Sequence, residues 1–119
     1  MLSNMPVVPT LAVSDMDRAR RFYEHRLGLA VDAEVAETVR YSCGGGTALA
    51  IFERAMKPVD RTVAAFEVED IEGEVSELRE RGVETEDIVT LPNGVKRAFF
   101  KDPDGNVIGM RQLRGTDRQ

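Results

Sequence analysis

At 119 residues, with 42% apolar and 31% charged positions and five scattered prolines, the chain is sized and composed for one folded domain rather than a disordered segment. A net charge of −5 argues against the concentrated basic surface that nucleic-acid phosphates require, and basic runs such as Arg18-Ala19-Arg20-Arg21 have acids close by. No stretch approaches the roughly 18 apolar residues of a membrane-spanning helix, no basic flank and apolar run mark a leader, and the lone Cys43 cannot close an internal disulfide, so a soluble cytoplasmic protein without membrane or nucleic-acid partners is expected.

In chain order, "VVPTLAV" (7–13) has strand character, and a helix is predicted within 13–29. Ser14 or Asp15 can cap its first turn, Met16, Ala19, Tyr23 and Leu27 recur at helical spacing, and Gly28 stands where a left-handed residue ends a helix. Three strand-like runs follow, "LAVDAEV", "TVRYSC" and "TALAIFE", with Gly44-Gly45-Gly46 connecting the last two. Those glycines are a poor phosphate loop because no helix follows them. "MKPVDR" (56–61) reads as a linker.

The order then repeats. "TVAAFEV" is a strand, Glu69 or Asp70 caps a helix carrying Ile71, Val75 and Leu78, Gly73 weakens that helix locally, and Gly82 closes it. "VETEDIV", "VKRAFF" and "NVIGMRQL" are the closing strands, with Asn93-Gly94 as a hairpin turn. Asp102-Pro103-Asp104-Gly105 is a further turn rather than a calcium loop, because glycine follows the second Asp at once and the twelfth position from Asp102 is Leu113, not a bidentate Glu. The period is about fifty-five residues, and each copy reads β-α-β-β-β. One such unit buries too little surface to stand alone. An α+β fold of two βαβββ modules is therefore expected, at about 5–54 and 62–113 with a linker at 55–61, the helices outside a curved sheet.

"AVSDMDRARRFYEHRLGL", "AFEVEDIEGEVSELRERGV" and "FFKDPDGNVIGM" together resemble the vicinal-oxygen-chelate superfamily, which includes glyoxalase I, bleomycin-resistance proteins and extradiol dioxygenases. The resemblance implies two paired modules forming a curved, U-shaped mixed sheet around an open cavity, commonly completed by a second subunit. It also implies four inward strand positions, two per module, that hold a divalent metal in the enzymes through His, Glu or Gln. Carried onto this chain they are Val8, Ala50, Val63 and Gly109. None has a side-chain donor atom, whereas a divalent cation needs nitrogen, oxygen or sulfur at about 2 to 2.6 Å. No metal and no other cofactor is expected.

Strand alternation then places Val7, Leu49, Ile51, Ala64, Ile108 and Met110 toward the helices. Thr10, Ala48, Phe52, Ala65, Glu67 and Arg111 join the cavity wall, with Arg97, Phe99 and Arg40 as further candidates. Small residues at 8, 48, 50, 63, 65 and 109 are expected to leave space, and Phe52 and Phe99 to offer flat apolar surface.

Three functions follow. The first is a metal-free binder of a small organic ligand in a homodimer cavity, with antibiotic sequestration as its narrower form. The second is an enzyme of lyase, isomerase or dioxygenase type, using a displaced metal set drawn from Thr10, Glu53 and Glu67, or using Glu67 as a base raised by burial beside Arg97 or Arg111. The third is an interaction domain whose core is filled.

Overall fold

The computed structural model describes residues 1–35, 37–55 and 62–113. By internal packing the chain divides into two compact units, Met1–Lys57 and Pro58–Gln119. Of the expected linker only Ala55 lies within the described residues.

In the first unit, β1 (Thr10–Val13) leads into α1 (Met16–Arg20), and β2 (Ala30–Val35), β3 (Thr38–Ser42) and β4 (Ala48–Glu53) follow. The second unit has β5 (Thr62–Glu67), α2 (Ile71–Glu80), β6 (Val89–Thr90), β7 (Lys96–Lys101) and β8 (Val107–Gln112). The strands form two four-stranded sheets, ordered β1-β4-β3-β2 and β5-β8-β7-β6. In each, the opening strand runs parallel to the closing one, and the other pairs are antiparallel. The sequence repeat is thus a repeat of topology, and the fold is α+β.

Equivalent residues start both helices. The Asp15 carboxylate accepts the Arg18 N–H at 3.1 Å, and Asp70 accepts the Gly73 N–H at 3.2 Å, each satisfying a donor that the helix cannot. Gly73 has a purpose in this cap: a Cβ there would stand 2.5 Å from Asp70 Oδ2. Gly28 and Gly82 take φ of 76° and 84° and end the helices as expected.

Alternation sorts the core. In the first sheet Leu11, Val13, Val39, Tyr41, Leu49 and Ile51 are all at most 4% exposed. In the second, α2 packs on β7 and β8, where Ala98, Phe100, Ile108 and Met110 are buried. Each large apolar side chain so covered contributes about 1.5 to 3 kcal/mol of transfer free energy.

Three expectations change. The first helix is α-helical for one turn and then widens to a π-helical stretch, Arg21–Arg26, in which the Leu27 N–H bonds to Phe22 O at 2.9 Å. The wide turn lets the adjacent Phe22 and Tyr23 both enter the core, edge to face at 5.2 Å, with Tyr23 stacked 5.9 Å from Tyr41. Val7, expected against a helix, is 83% exposed and lies outside β1, which begins only at Thr10, after a proline with no N–H to give the ladder. The strand expected over 83–89 contracts to Val89–Thr90, with an isolated Thr85–Phe100 bridge before it.

The turns behave as read. Gly94 has a φ of 90°, and the Val95 N–H bonds to Asn93 Oδ1 at 3.0 Å. Asp102, only 5% exposed, organises the second turn by accepting from the backbone N–H groups of Asp104 and Asn106, both at 2.9 Å, and from the Asn106 side-chain amide at 2.8 Å.

Candidate functional site

Each sheet has a second face, opposite the one that carries its core. In the first unit this face bears Thr10, Ala12, Arg40, Ala50 and Phe52, because β1, β3 and β4 pair as Thr10↔Ala50↔Arg40 and Ala12↔Phe52↔Thr38. Arg40 bonds to Asp32 at 3.2 Å, Asp32 being the extra residue where the β2–β3 register shifts. Ala48 and Ala50 are themselves buried, at 7% and 4% exposure, and Phe52 is half-buried. Val8 is half-buried in the extended lead-in before β1, where its carbonyl accepts the Thr10 hydroxyl at 3.1 Å.

The second unit assembles a fuller set. One row across the strands runs Glu67↔Arg111↔Arg97↔Val89, and the next runs Ala65↔Gly109↔Phe99. Arg111 reaches Glu67 at 3.4 Å, and the Arg97 guanidinium carbon lies 5.7 Å from the centre of the Phe99 ring. Val63 falls in the register shift between Thr62 and Ala64, so simple alternation does not govern it.

At Gly109 the expected space is absent. A Cβ built there would meet Phe99 Cε1 at 3.3 Å, Phe99 Cδ1 at 3.4 Å and the Ala65 methyl at 3.6 Å. The aromatic ring of the neighbouring strand leans over the glycine and occupies the room where a side chain would begin, the arrangement by which aromatics compensate glycines in sheets.

The divalent ion that the resemblance implies does not fit the residues at the positions carried over. Val8, Ala50 and Val63 offer only carbon, and Gly109 offers nothing. The three neighbouring oxygen donors have other engagements: the Thr10 hydroxyl on Val8 O, Glu67 on Arg111, and Glu53 Oε1 as acceptor of the Met16 N–H at 2.7 Å. Among the described residues no three His, Cys, Asp or Glu side chains form a group that could hold a metal ion.

The acid–base reading of Glu67 required burial, and its side chain is 66% exposed. Cys43 is half-buried, and that burial pushes its thiol up, away from nucleophile chemistry.

Sequence reasoning missed two features. Gln112 Oε1 accepts the Ile71 N–H at 2.8 Å, doing for α2 what Glu53 does for α1. The signal was there, since a polar residue ends the closing strand of both modules. The other is a polar cluster on the covered side of the first sheet, where Glu24 Oε2 accepts from Arg20 at 2.6 Å and from the buried Tyr41 hydroxyl at 2.9 Å, and Arg20 also pairs with Glu34 at 2.7 Å. Burial alone would raise the Glu24 carboxyl, but the bonds from Arg20 and Tyr41 and the charges of Arg20 and His25 hold it below its ordinary value. A shallow groove of about 500 Å³ beside α2 is lined by Glu72, Val75, Ser76, Arg79, Glu80 and Ile88, none of them expected site residues.

Comparison with known proteins agrees with this architecture. A family model described as "Glyoxalase/Bleomycin resistance protein/Dioxygenase superfamily" matches residues 6–110. An uncharacterized protein of Bacillus subtilis (strain 168), YwkD, is 34% identical over 106 residues, covering 76% of this chain and 83% of its own. Among solved structures, TnmS3, an antibiotic binding protein from Streptomyces sp. CB03234, superposes with a TM-score of 0.82 at 26% identity over 96% of this chain and 99% of that one. Lactoylglutathione lyase from Agrobacterium tumefaciens shares the fold, with a TM-score of 0.70 at 24% identity over 92% and 93% of the two chains. No helix among the described residues is long and apolar enough to cross a membrane. With the paired βαβββ topology and a family match over nearly its whole length, the chain belongs to the glyoxalase/bleomycin resistance protein/dioxygenase superfamily.

Proposed function

We propose that this protein is a metal-free binding member of its superfamily, holding a small organic ligand in a cavity completed by a second copy of the chain. The observation that carries the reading is the donor chemistry at positions 8, 50, 63 and 109, together with the engagement of Thr10, Glu53 and Glu67 elsewhere. A site without ligands for a Lewis acid retains what a binder needs: a sheet face with a flat ring, Phe99, and a few fixed polar groups. The likeness to an antibiotic binding protein supports the same reading and makes antibiotic sequestration its narrower form.

Thermal-shift screening of purified protein against antibiotics, aromatic compounds and thiol conjugates tests it, since a ligand bound only by the native state raises the melting temperature. At least one class is expected to give a saturable rise. Native mass spectrometry of protein taken from its own host is expected to show a dimer without stoichiometric metal. A retained Ni, Zn, Mn or Fe ion would overturn the metal-free reading, and a melting temperature unmoved by every class would favour an interaction domain with a filled core.

A further inference from the structure

We propose that the open face of the second sheet carries an anion subsite, in which Arg97 and Arg111 grip the carboxylate of a flat organic acid and Phe99 takes its ring. The inference rests on the binding reading above for the presence of a ligand, and it specifies that ligand's chemistry. Arg97 and Arg111 are direct cross-strand partners on β7 and β8. Like charges placed opposite each other destabilise an antiparallel pair, with Cβ atoms about 4.5 to 5.5 Å apart. A single carboxylate offsets them. Glu67 sits on the far side of Arg111 at 3.4 Å, longer than the roughly 2.7 to 2.9 Å of a strong charge-assisted bond. Arg97 makes no ion pair among the described residues, and its charge rests on the Phe99 ring instead. By contrast, Arg40 on the first sheet has its acid, Asp32, at 3.2 Å.

The row therefore presents two guanidinium groups and one carboxylate on an exposed face of a chain whose net charge is −5. Two forked donor groups side by side match the two oxygens of one carboxylate, which is the geometry arginine serves better than lysine. One row over, Gly109 raises no side chain and Phe99 lies across it, so a planar group attached to that carboxylate meets a flat apolar surface. This chemistry selects an aromatic carboxylic acid over its neutral or cationic analogues.

The test titrates the ¹⁵N-labelled full chain at low salt with 2-naphthoate and, separately, with the neutral isostere 2-naphthamide. The readouts are the Arg97 and Arg111 Nε–H signals and the Gly109 amide. Naphthoate is expected to shift these signals saturably, and naphthamide to bind at least about ten-fold more weakly, as charge-assisted bonds predict. Arg97→Gln and Arg111→Gln should each weaken naphthoate by a similar factor, Arg97→Lys by less, and Glu67→Gln should strengthen it by removing the competing carboxylate. All three substituted side chains are exposed, and unchanged amide dispersion of each variant verifies its fold. Equal binding of acid and amide, or naphthoate binding untouched by both arginine substitutions, overturns the anion subsite while leaving a small-molecule binder standing. No naphthoate binding, with another compound class raising the melting temperature, does the same. If nothing in either experiment binds, both readings fall.

Discussion

Replacing Asp102 with alanine tests whether one buried carboxylate holds the turn between β7 and β8. Oδ1 accepts the Asp104 and Asn106 N–H groups, and Oδ2 accepts the Asn106 side-chain amide, at 2.8 to 2.9 Å. Asp102 is 5% and Asn106 3% exposed, so water cannot readily take over the two Asn106 donors, while Asp104 is half-buried and its N–H can turn to solvent. A buried donor left without an acceptor costs about 1 to 3 kcal/mol. The two backbone bonds of the turn, Asp102 N–H to Asn106 O and Gly105 N–H to Asp102 O, do not depend on the side chain and limit the collapse. The expected loss is therefore about 2 to 4 kcal/mol, on the order of a 10 °C fall in melting temperature for a chain of this size. Asp102→Asn is the control. It keeps one oxygen for the two backbone donors, and the Asn106 amide can rotate its own oxygen toward the new amide, so the loss should stay below about 1.5 kcal/mol. Urea unfolding followed by circular dichroism, compared at equal m-values, measures both. An alanine variant within about 0.5 kcal/mol of the parent, or an asparagine variant as damaged as the alanine one, would refute the assigned role of the carboxylate.

Three further outcomes are expected. The buried Tyr41 phenol is pushed well above its ordinary range, by burial first and then by its bond to Glu24. Its folded value thus exceeds the unfolded one, so its contribution is whole below about pH 10 and is lost as pH rises beyond that, by about 1.4 kcal/mol per unit; Tyr41→Phe should lack that slope in alkaline urea titrations. Glu24 works in the opposite sense, its carboxyl held low despite burial, so its stabilisation is present above about pH 4.3 and lost as pH falls through the folded value. Glu24→Gln should flatten the acid arm of the stability profile, and an unchanged arm would contradict the assignment. Glu53→Ala and Gln112→Ala each remove an acceptor from the first N–H of a helix, and each should cost about 0.5 to 2 kcal/mol, with the part-buried Gln112 nearer the upper end.

The elements most legible in the sequence were those set by short-range physics. Asp15 and Asp70 at the helix starts, Gly28 and Gly82 at their ends, and Asn93-Gly94 in the hairpin each carry their instruction locally. What escaped notice depends on partners distant in sequence. The π-helical widening after Arg20 answers to Tyr41, on another strand, which Tyr23 stacks against. Glu53 looked like a spare metal ligand, because its bond to the Met16 N–H spans 37 residues and no local pattern announces it. Val63 followed the alternation rule on paper, but the register shift beside it removes it from the count.

The position that bears most on function shows the same division. In the sequence, Gly109 stands where the resemblance implies an acid. In the structure it is an occupied place, with Phe99 lying where a side chain would start and Arg97 resting on that ring. Placing Glu at 109 alone would bring its Cβ to 3.3 Å from Phe99 and still leave Val8, Ala50 and Val63 without donors. The four donor-less positions are therefore spread over β4, β5, β8 and the lead-in before β1. Around Gly109 an aromatic ring and cationic side chains define the surface. On the binding reading proposed above, a metal site would need donors at several of these positions at once, whereas Arg97, Arg111 and Phe99 can each be varied singly.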